Sequence, residues 1–316
     1  MAEKKALREA YGETLTELGA KDPRVVALDA DLSGSTKTAV FGKKFPERFF
    51  NLGISEQDMM VTACGLAATG KIPFVSSFAV FATGRAWEQM RNSVALTGLN
   101  VKIVATHAGI TVGEDGKSHQ ALEDLAVTRV LPGMTVIAPA DAVETKKAIV
   151  AVYEHVGPCY VRLAREKFPV HYDDSYPFEI GRAHRARDGR DVTFVAVGVC
   201  FHLALEAAEL LQKKGVSARV VNMSTVKPLD EGELAAAARE TGAVVTAEEH
   251  NVIGGLGSAV CEALSSKYPV PVERVGMQDE FGVSGNAWTL LEHYGFTPEN
   301  LAKAAEKAIA RKRERA

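Results

Sequence analysis

The chain has 316 residues, 47% hydrophobic and 24% charged, with a formal net charge of -3. That length allows one to three domains around a large core, and the near-balanced charge excludes an electrostatic footprint for nucleic acid or an anionic membrane. The longest apolar stretch, 192–205, is too short to span a bilayer. Residues 1–8 lack the apolar region of a signal peptide, and the scattered Cys64, Cys159, Cys200 and Cys261 suggest neither a zinc site nor a disulfide framework, so a cytoplasmic location is expected.

In chain order, residues 4–18 read as an amphipathic helix and 25–28 as a β-branched strand. Further strands are expected at 74–75, 101–104, 136–137 and 160–163, and helices at 56–69, 86–96 and 142–153. Such alternation predicts βαβ units and a mostly parallel sheet, an α/β fold. Residues 171–190 carry Pro, Gly, Asp and Arg without a sustained period and read as a linker. A second α/β unit follows, with strands at 192–197, 218–221, 243–246 and 272–275 and helices at 203–213, 231–239, 257–264 and 298–312. The expected organisation is a first domain over 1–170, a linker over 171–190 and a second domain over 191–316. The basic run 311–315 reads as a helix end that complements the macrodipole.

In open parallel sheets, ligands gather at the carboxyl ends of strands. Polar clusters fall there: residues 29–35, Glu56 with its neighbours, Thr106-His107, and Arg165 with its neighbours. Glu56 opens a helix that is small and apolar on most sides, so the carboxylate is expected where a buried structure begins. Burial of a carboxylate without a partner is costly. Phe78 and Phe81 share one face of a helical turn, as core residues or as a stacking wall for a flat heterocycle. The segment 107–120 holds His107, Asp115 and His119 among glycines, with no helical or strand period. A polar loop of this kind in a compact domain is usually functional, and the His–His spacing matches no common zinc motif. The glycines of 253–257 match no phosphate-loop pattern and read as close helix packing.

Together these motifs resemble transketolase. Asn51-Leu-Gly-Ile-Ser-Glu56-Gln is similar to the family's glutamate motif, and Phe78-x-x-Phe81 to its aminopyrimidine pocket. Thr106-His107 through Gly113-Glu-Asp-Gly-x-Ser-His119-Gln resembles its substrate loop. Glu248-Glu-His-Asn-Val-Ile-Gly-Gly-Leu-Gly257 is similar to a stretch of its C-terminal domain. The resemblance covers residues 8–312, the pyrimidine-binding and C-terminal domains. It implies that Glu56 hydrogen-bonds the pyrimidine of thiamine diphosphate and favours the imino tautomer that activates the thiazolium. It also implies that Phe78 and Phe81 stack on that ring and that Asp31 lies close to it. His107, Asp115 and His119 would meet sugar hydroxyls and reacting oxygens, while Arg8, Ser35 and Arg165 would hold a sugar phosphate. Two positions depart from the pattern. Gly84 stands where a third pocket ring is frequent, with Trp87 the nearest aromatic. Ala108-Gly109 after His107 looks like deoxyxylulose-phosphate synthase.

No Gly-Asp-Gly occurs in the sequence. The resemblance therefore implies that the diphosphate and Mg2+ site lies on a partner, an N-terminal transketolase subunit carrying Gly-Asp-Gly, in an α2β2 assembly. The chain starts where a full transketolase would be half complete, and Met1 followed by a charged helix suggests a natural subunit. A synthase-like reaction, or that of a 2-oxo acid dehydrogenase β-type subunit, is the alternative chemistry on the same cofactor.

Overall fold

A computed structural model describes residues 3–314. In chain order its strands are β1 Lys4–Ala6, β2 Val25–Asp29, β3 Phe49–Asn51, β4 Ile72–Ser76, β5 Lys102–Ala105, β6 Thr135–Ile137 and β7 Cys159–Arg162, followed by β8 Lys167–Pro169, β9 His184–Arg187, β10 Val192–Ala196, β11 Ala218–Asn222, β12 Thr225–Lys227, β13 Val244–Asn251 and β14 Val272–Met277. The first sheet has the order β12-β6-β7-β5-β4-β2-β3 and the second the order β14-β13-β10-β11-β9. Among the described residues of these two sheets, only the edge strands β12 and β9 run antiparallel to their neighbours. Val25–Asp29 and Ile72–Ser76 are buried along their whole length, as continuous aliphatic runs between two helical layers should be. From β2 the chain moves outward to β3 and returns to β4 on the other side of β2. That reversal opens a crevice at the carboxyl ends of β2 and β4.

The two-domain α/β reading agrees with this architecture, with local corrections. Residues 4–6 are strand, paired antiparallel with β8, and the helix begins at Leu7. The stretch 171–190 is not a bare connection. It contains β9, which pairs with β11, and it buries Tyr172 and Tyr176, whose rings stack at 3.8 Å. The ring periodicity there is too short to register as a strand or helix pattern. Strand β12 was not foreseen either: three residues after the second domain has begun its sheet return to cover β6. The helix Glu56–Ala68 is buried only on the face of Met59, Met60, Ala63 and Cys64. Gln57, Asp58 and Val61 face outward, contrary to the expectation of burial on most sides.

Glycines 254 and 255 do pack closely: a Cβ on Gly254 would lie 2.6 Å from Ala126 Cβ, and one on Gly255 2.0 Å from Glu248 Oε2. Glu248 accepts from Leu256 N and Gly257 N at 2.6 and 2.7 Å, capping the helix Leu256–Lys267 with its own carboxylate. At the other end of the chain, Arg311, Lys312 and Arg313 form the last turn of the helix Pro298–Arg313; Arg315 lies outside the described residues. Among the described residues, no helix is long and apolar enough to cross a membrane.

Candidate active site

The carboxyl ends of β3, β2, β4, β5 and β7 carry, in spatial order, Glu56, Asp31, Phe78, His107 and Arg165. The loop after β2 is built by Asp29, which is fully buried and accepts from Leu32 N at 2.6 Å and from the hydroxyls of Thr36 and Thr38 at 2.7 and 2.8 Å. These bonds fold the turn that presents Ser35. Burial raises the Asp29 pKa despite the hydroxyl donors. Gly12 lets the helix Leu7–Lys21 approach this loop, since a Cβ there would lie 2.7 Å from Lys37 O. Arg8, in the first turn of that helix, then donates from Nη1 to Ser35 O at 3.1 Å and to His107 Nε2 at 3.3 Å.

His107 is buried to 3% exposure and holds a left-handed backbone, φ +58°, a conformation that non-glycine residues adopt at a cost. With Nε2 accepting from Arg8, the neutral ring carries its proton on Nδ1 and donates to Thr106 Oγ1 at 2.8 Å. Burial first, then the charges of Arg8, Arg165, His119 and Lys37, push its pKa down to about 3. The imidazole lies flat against Phe78, centroids 3.8 Å apart. Phe78 and Phe81 are nearly parallel, 16° apart in plane and 5.9 Å between centroids. His119 meets Phe81 edge-on at 5.2 Å and bonds Ser118 Oγ through Nδ1 at 2.9 Å.

Glu56 begins its helix at 4% exposure and accepts from Arg85 Nη1 at 2.9 Å. The same guanidinium lies over the Phe81 ring at 4.0 Å. A flat group that stacks on Phe81 and donates N–H to Glu56 does what the protonated or imino form of an aminopyrimidine would do there, so the side chains present fit that ring. Arg85 is the residue that the sequence pattern missed. Gly84 leaves the third ring position empty of side chain, and Trp87 turns its Nε1 to Val127 O at 2.8 Å. The one available signal was a cation one residue beyond the missing aromatic.

Not every expected residue converges. Asp31 has a left-handed backbone, φ +63°, and its carboxylate accepts from Asn51 Nδ2 at 3.0 Å, which ties the β2 loop to the glutamate motif. Asp115 is exposed and touches none of the other candidates. Arg165 turns to the loop itself, donating to Val112 O and to Glu114 Oε2. That loop is not irregular throughout: Ile110–Ser118 winds as 3-10 turns broken by Gly113 and Gly116, both with positive φ. Among the described residues no group of three or more His, Cys, Asp or Glu is placed to hold a metal ion.

Fold and site together define a two-domain α/β protein that gathers Glu56, Phe78, Phe81 and His107 at the carboxyl edge of its first sheet. Residues 3–170 match the transketolase pyrimidine binding domain and residues 181–301 the transketolase C-terminal domain; the chain belongs to the transketolase family, a family of thiamine-dependent transferases. A split gene transketolase solved as an inactive β4 tetramer is 53% identical, with a TM-score of 0.89, covering 97% of this chain and 99% of that one. The 6-deoxy-6-sulfo-D-fructose transketolase subunit SqwH of Clostridium sp. (strain MSTE9) is 43% identical over 97% of this chain and 95% of its own length. Human transketolase is 36% identical over 98% of this chain, which spans 50% of the human protein.

Proposed function

We propose that the chain is one subunit of a split, thiamine diphosphate-dependent transketolase. It would move a two-carbon ketol unit between phosphorylated ketose and aldose sugars in the cytoplasm. An N-terminal-half partner would bring the Gly-Asp-Gly site for the diphosphate and Mg2+, in an α2β2 assembly. The observation that carries this reading is the chain of contacts from buried Glu56 through Arg85 to Phe81, Phe78 and His107. Support for the split comes from the absence of Gly-Asp-Gly and from the full-length match to a split-gene relative.

Thiamine diphosphate, when bound, supplies the thiazolium carbon and the electron sink. The chain's own residues do the rest. Glu56 holds the pyrimidine ring nitrogen once Arg85 yields its place. Phe78 and Phe81 form the apolar wall and exclude water. His107 stays neutral at physiological pH because of its burial and cationic surroundings; its Nε2 can exchange the Arg8 N–H for a sugar hydroxyl. The same cations form a phosphate anchor. Burial and the nearby Arg165 lower the Arg8 pKa, so a phosphate dianion relieves the repulsion between the two guanidiniums. His119, at the rim, reaches the reacting oxygens, and Asp115 and Ser35 complete the sugar contacts.

The test is a reconstitution with the chain bearing Gly-Asp-Gly, thiamine diphosphate and Mg2+, supplied with xylulose 5-phosphate and ribose 5-phosphate. Ketol transfer is expected only with both chains present, and Glu56→Ala should lower kcat by at least ~100-fold. No turnover in the reconstituted pair would overturn the reading. Turnover with pyruvate in place of the ketose would instead support the synthase-like or 2-oxo acid dehydrogenase-like chemistry.

A further inference from the structure

The second domain reaches the site through the carboxyl end of β13. Glu248, Glu249 and His250 there are buried to 1% exposure or less. Glu248 caps a helix of its own domain, but atoms of Glu249, His250 and Asn251 reach the first domain. Asn251 N donates to Leu122 O at 2.8 Å, Arg162 Nη2 donates to Glu249 O at 2.7 Å, and Ala126 N donates to His250 Nε2 at 3.4 Å. The Glu249 carboxyl goes furthest. Its Oε1 accepts from Thr111 N at 2.6 Å, and it lies so close to Gly109 that a Cβ there would fall 2.3 Å from Oε1. Gly109 has φ +81°, so only a residue without a side chain can pass. Glu249 Oε2 is buried without a hydrogen-bond partner.

The segment under that carboxyl begins with His107. Between them Ala108 N is fixed to Leu163 O at 3.2 Å and Gly109 N to Ala121 O at 2.9 Å. The left-handed turn at His107 is therefore clamped just after the ring by strand ends of the first domain and, four residues on, by a carboxyl from the second.

We propose that Glu249 is a positioning residue: by gripping Thr111 and pressing on Gly109 it holds His107 in its buried, Arg8-bonded pose, and this is the contribution of the second domain to the site. The grip needs an acceptor at Oε1, which both a carboxylate and a carboxylic acid provide. Burial raises the Glu249 pKa to about 7 against the opposing pull of Arg162, with Asp124 adding to the rise. The hold therefore survives titration of the group. The functional consequence rests on the reading of His107 as a sugar-contacting residue, but the positioning itself does not.

The experiment is imidazole nitrogen–proton NMR on the full chain, with His107 assigned by His107→Asn, for wild type, Glu249→Ala, Glu249→Gln and Gly109→Ala. In the wild type the His107 ring should stay neutral to about pH 4, because of its burial and then the charges of Arg8, Arg165, His119 and Lys37. In Glu249→Ala and in Gly109→Ala the ring should titrate at least one pH unit higher and lose its Nδ1-protonated signature. Glu249→Gln, which keeps the acceptor, should stay near the wild type. If Glu249→Ala does not fold, Gly109→Ala gives the same reading with the carboxyl retained. An unchanged His107 profile in the folded alanine variants, or a Gln variant as displaced as Ala, overturns the proposal. In the reconstituted enzyme, Glu249→Ala should raise KM for the ketose phosphate by ~10-fold or more, with Gln restoring it. A wild type inactive on sugar phosphates, yet with His107 displaced in Glu249→Ala, would reject the transketolase reading and leave the positioning role standing.

Discussion

At the scale of single residues the site is a set of costs offset by neighbours. His107 combines a strained backbone with a buried ring among cations, and this has a measurable sign. Its pKa falls from 6.5 to about 3 on folding, so between those pH values the unfolded chain binds the proton that the folded chain refuses. Stability linked to this group is present above pH 6.5 and is lost as pH falls toward 3, by about 3–5 kcal/mol. The gap between denaturation midpoints at pH 7 and pH 4 should therefore be narrower in His107→Asn than in the wild type; an equal gap would contradict the burial argument. Residue types in sequence order marked His107, Glu56 and Phe78 because their chemistry is rare next to apolar strand ends. They placed Asp29 in a polar cluster and Glu249 in a C-terminal motif without giving either a role, and did not mark Arg85. Asp29 acts only through a turn closed by two threonines, Arg85 through a ring it meets in space, and Glu249 through a contact with Thr111, 138 positions away. No local spacing encodes such contacts.

Elements are legible where their pattern is long. The buried parallel strands and the helices of both domains stand out in the sequence because continuous aliphatic runs and helical periodicity are local properties. Most short pieces are not: β1, β3, β8 and β12 have three residues each, too few to establish an alternation, and the 3-10 turns of Ile110–Ser118 are broken by two glycines. One element boundary carries unusual weight. Asp141 caps the helix Ala142–Glu154 by accepting from Glu144 N at 2.8 Å, and its other oxygen accepts from His171 N and Tyr172 N at 2.7 and 2.8 Å. A single buried carboxylate thus starts a helix and pins the segment that leads into the second domain. Asp141→Ala should cost about 3–4 kcal/mol in urea unfolding, above an ordinary cap, with Asp141→Asn intermediate. A loss under about 1 kcal/mol would show that the pinned segment is held elsewhere.

On the scale of the whole molecule the two domains are not independent beads. The Arg162 guanidinium, 5% exposed, joins Asp124 Oδ2 at 2.8 Å to the Glu249 carbonyl at 2.7 Å, and β12 closes the first sheet from within the second half of the chain. A chain ended at residue 180 would leave β6 as an unpaired edge with Val136 and Ile137, both fully buried in the intact protein, open to solvent. Such an edge invites pairing with other chains. That fragment should elute as aggregates and lose near-UV circular dichroism; a monomer with native spectra would show the first domain to be self-sufficient. The long return of β12 also sets a timetable. On the ribosome, the outermost position of the first sheet stays vacant until residues 225–227 have emerged, so the nascent chain passes through a stage in which most of an α/β layer is assembled and its flank is bare. Protection of that flank during synthesis is a demand the chain places on the cell before any catalysis begins.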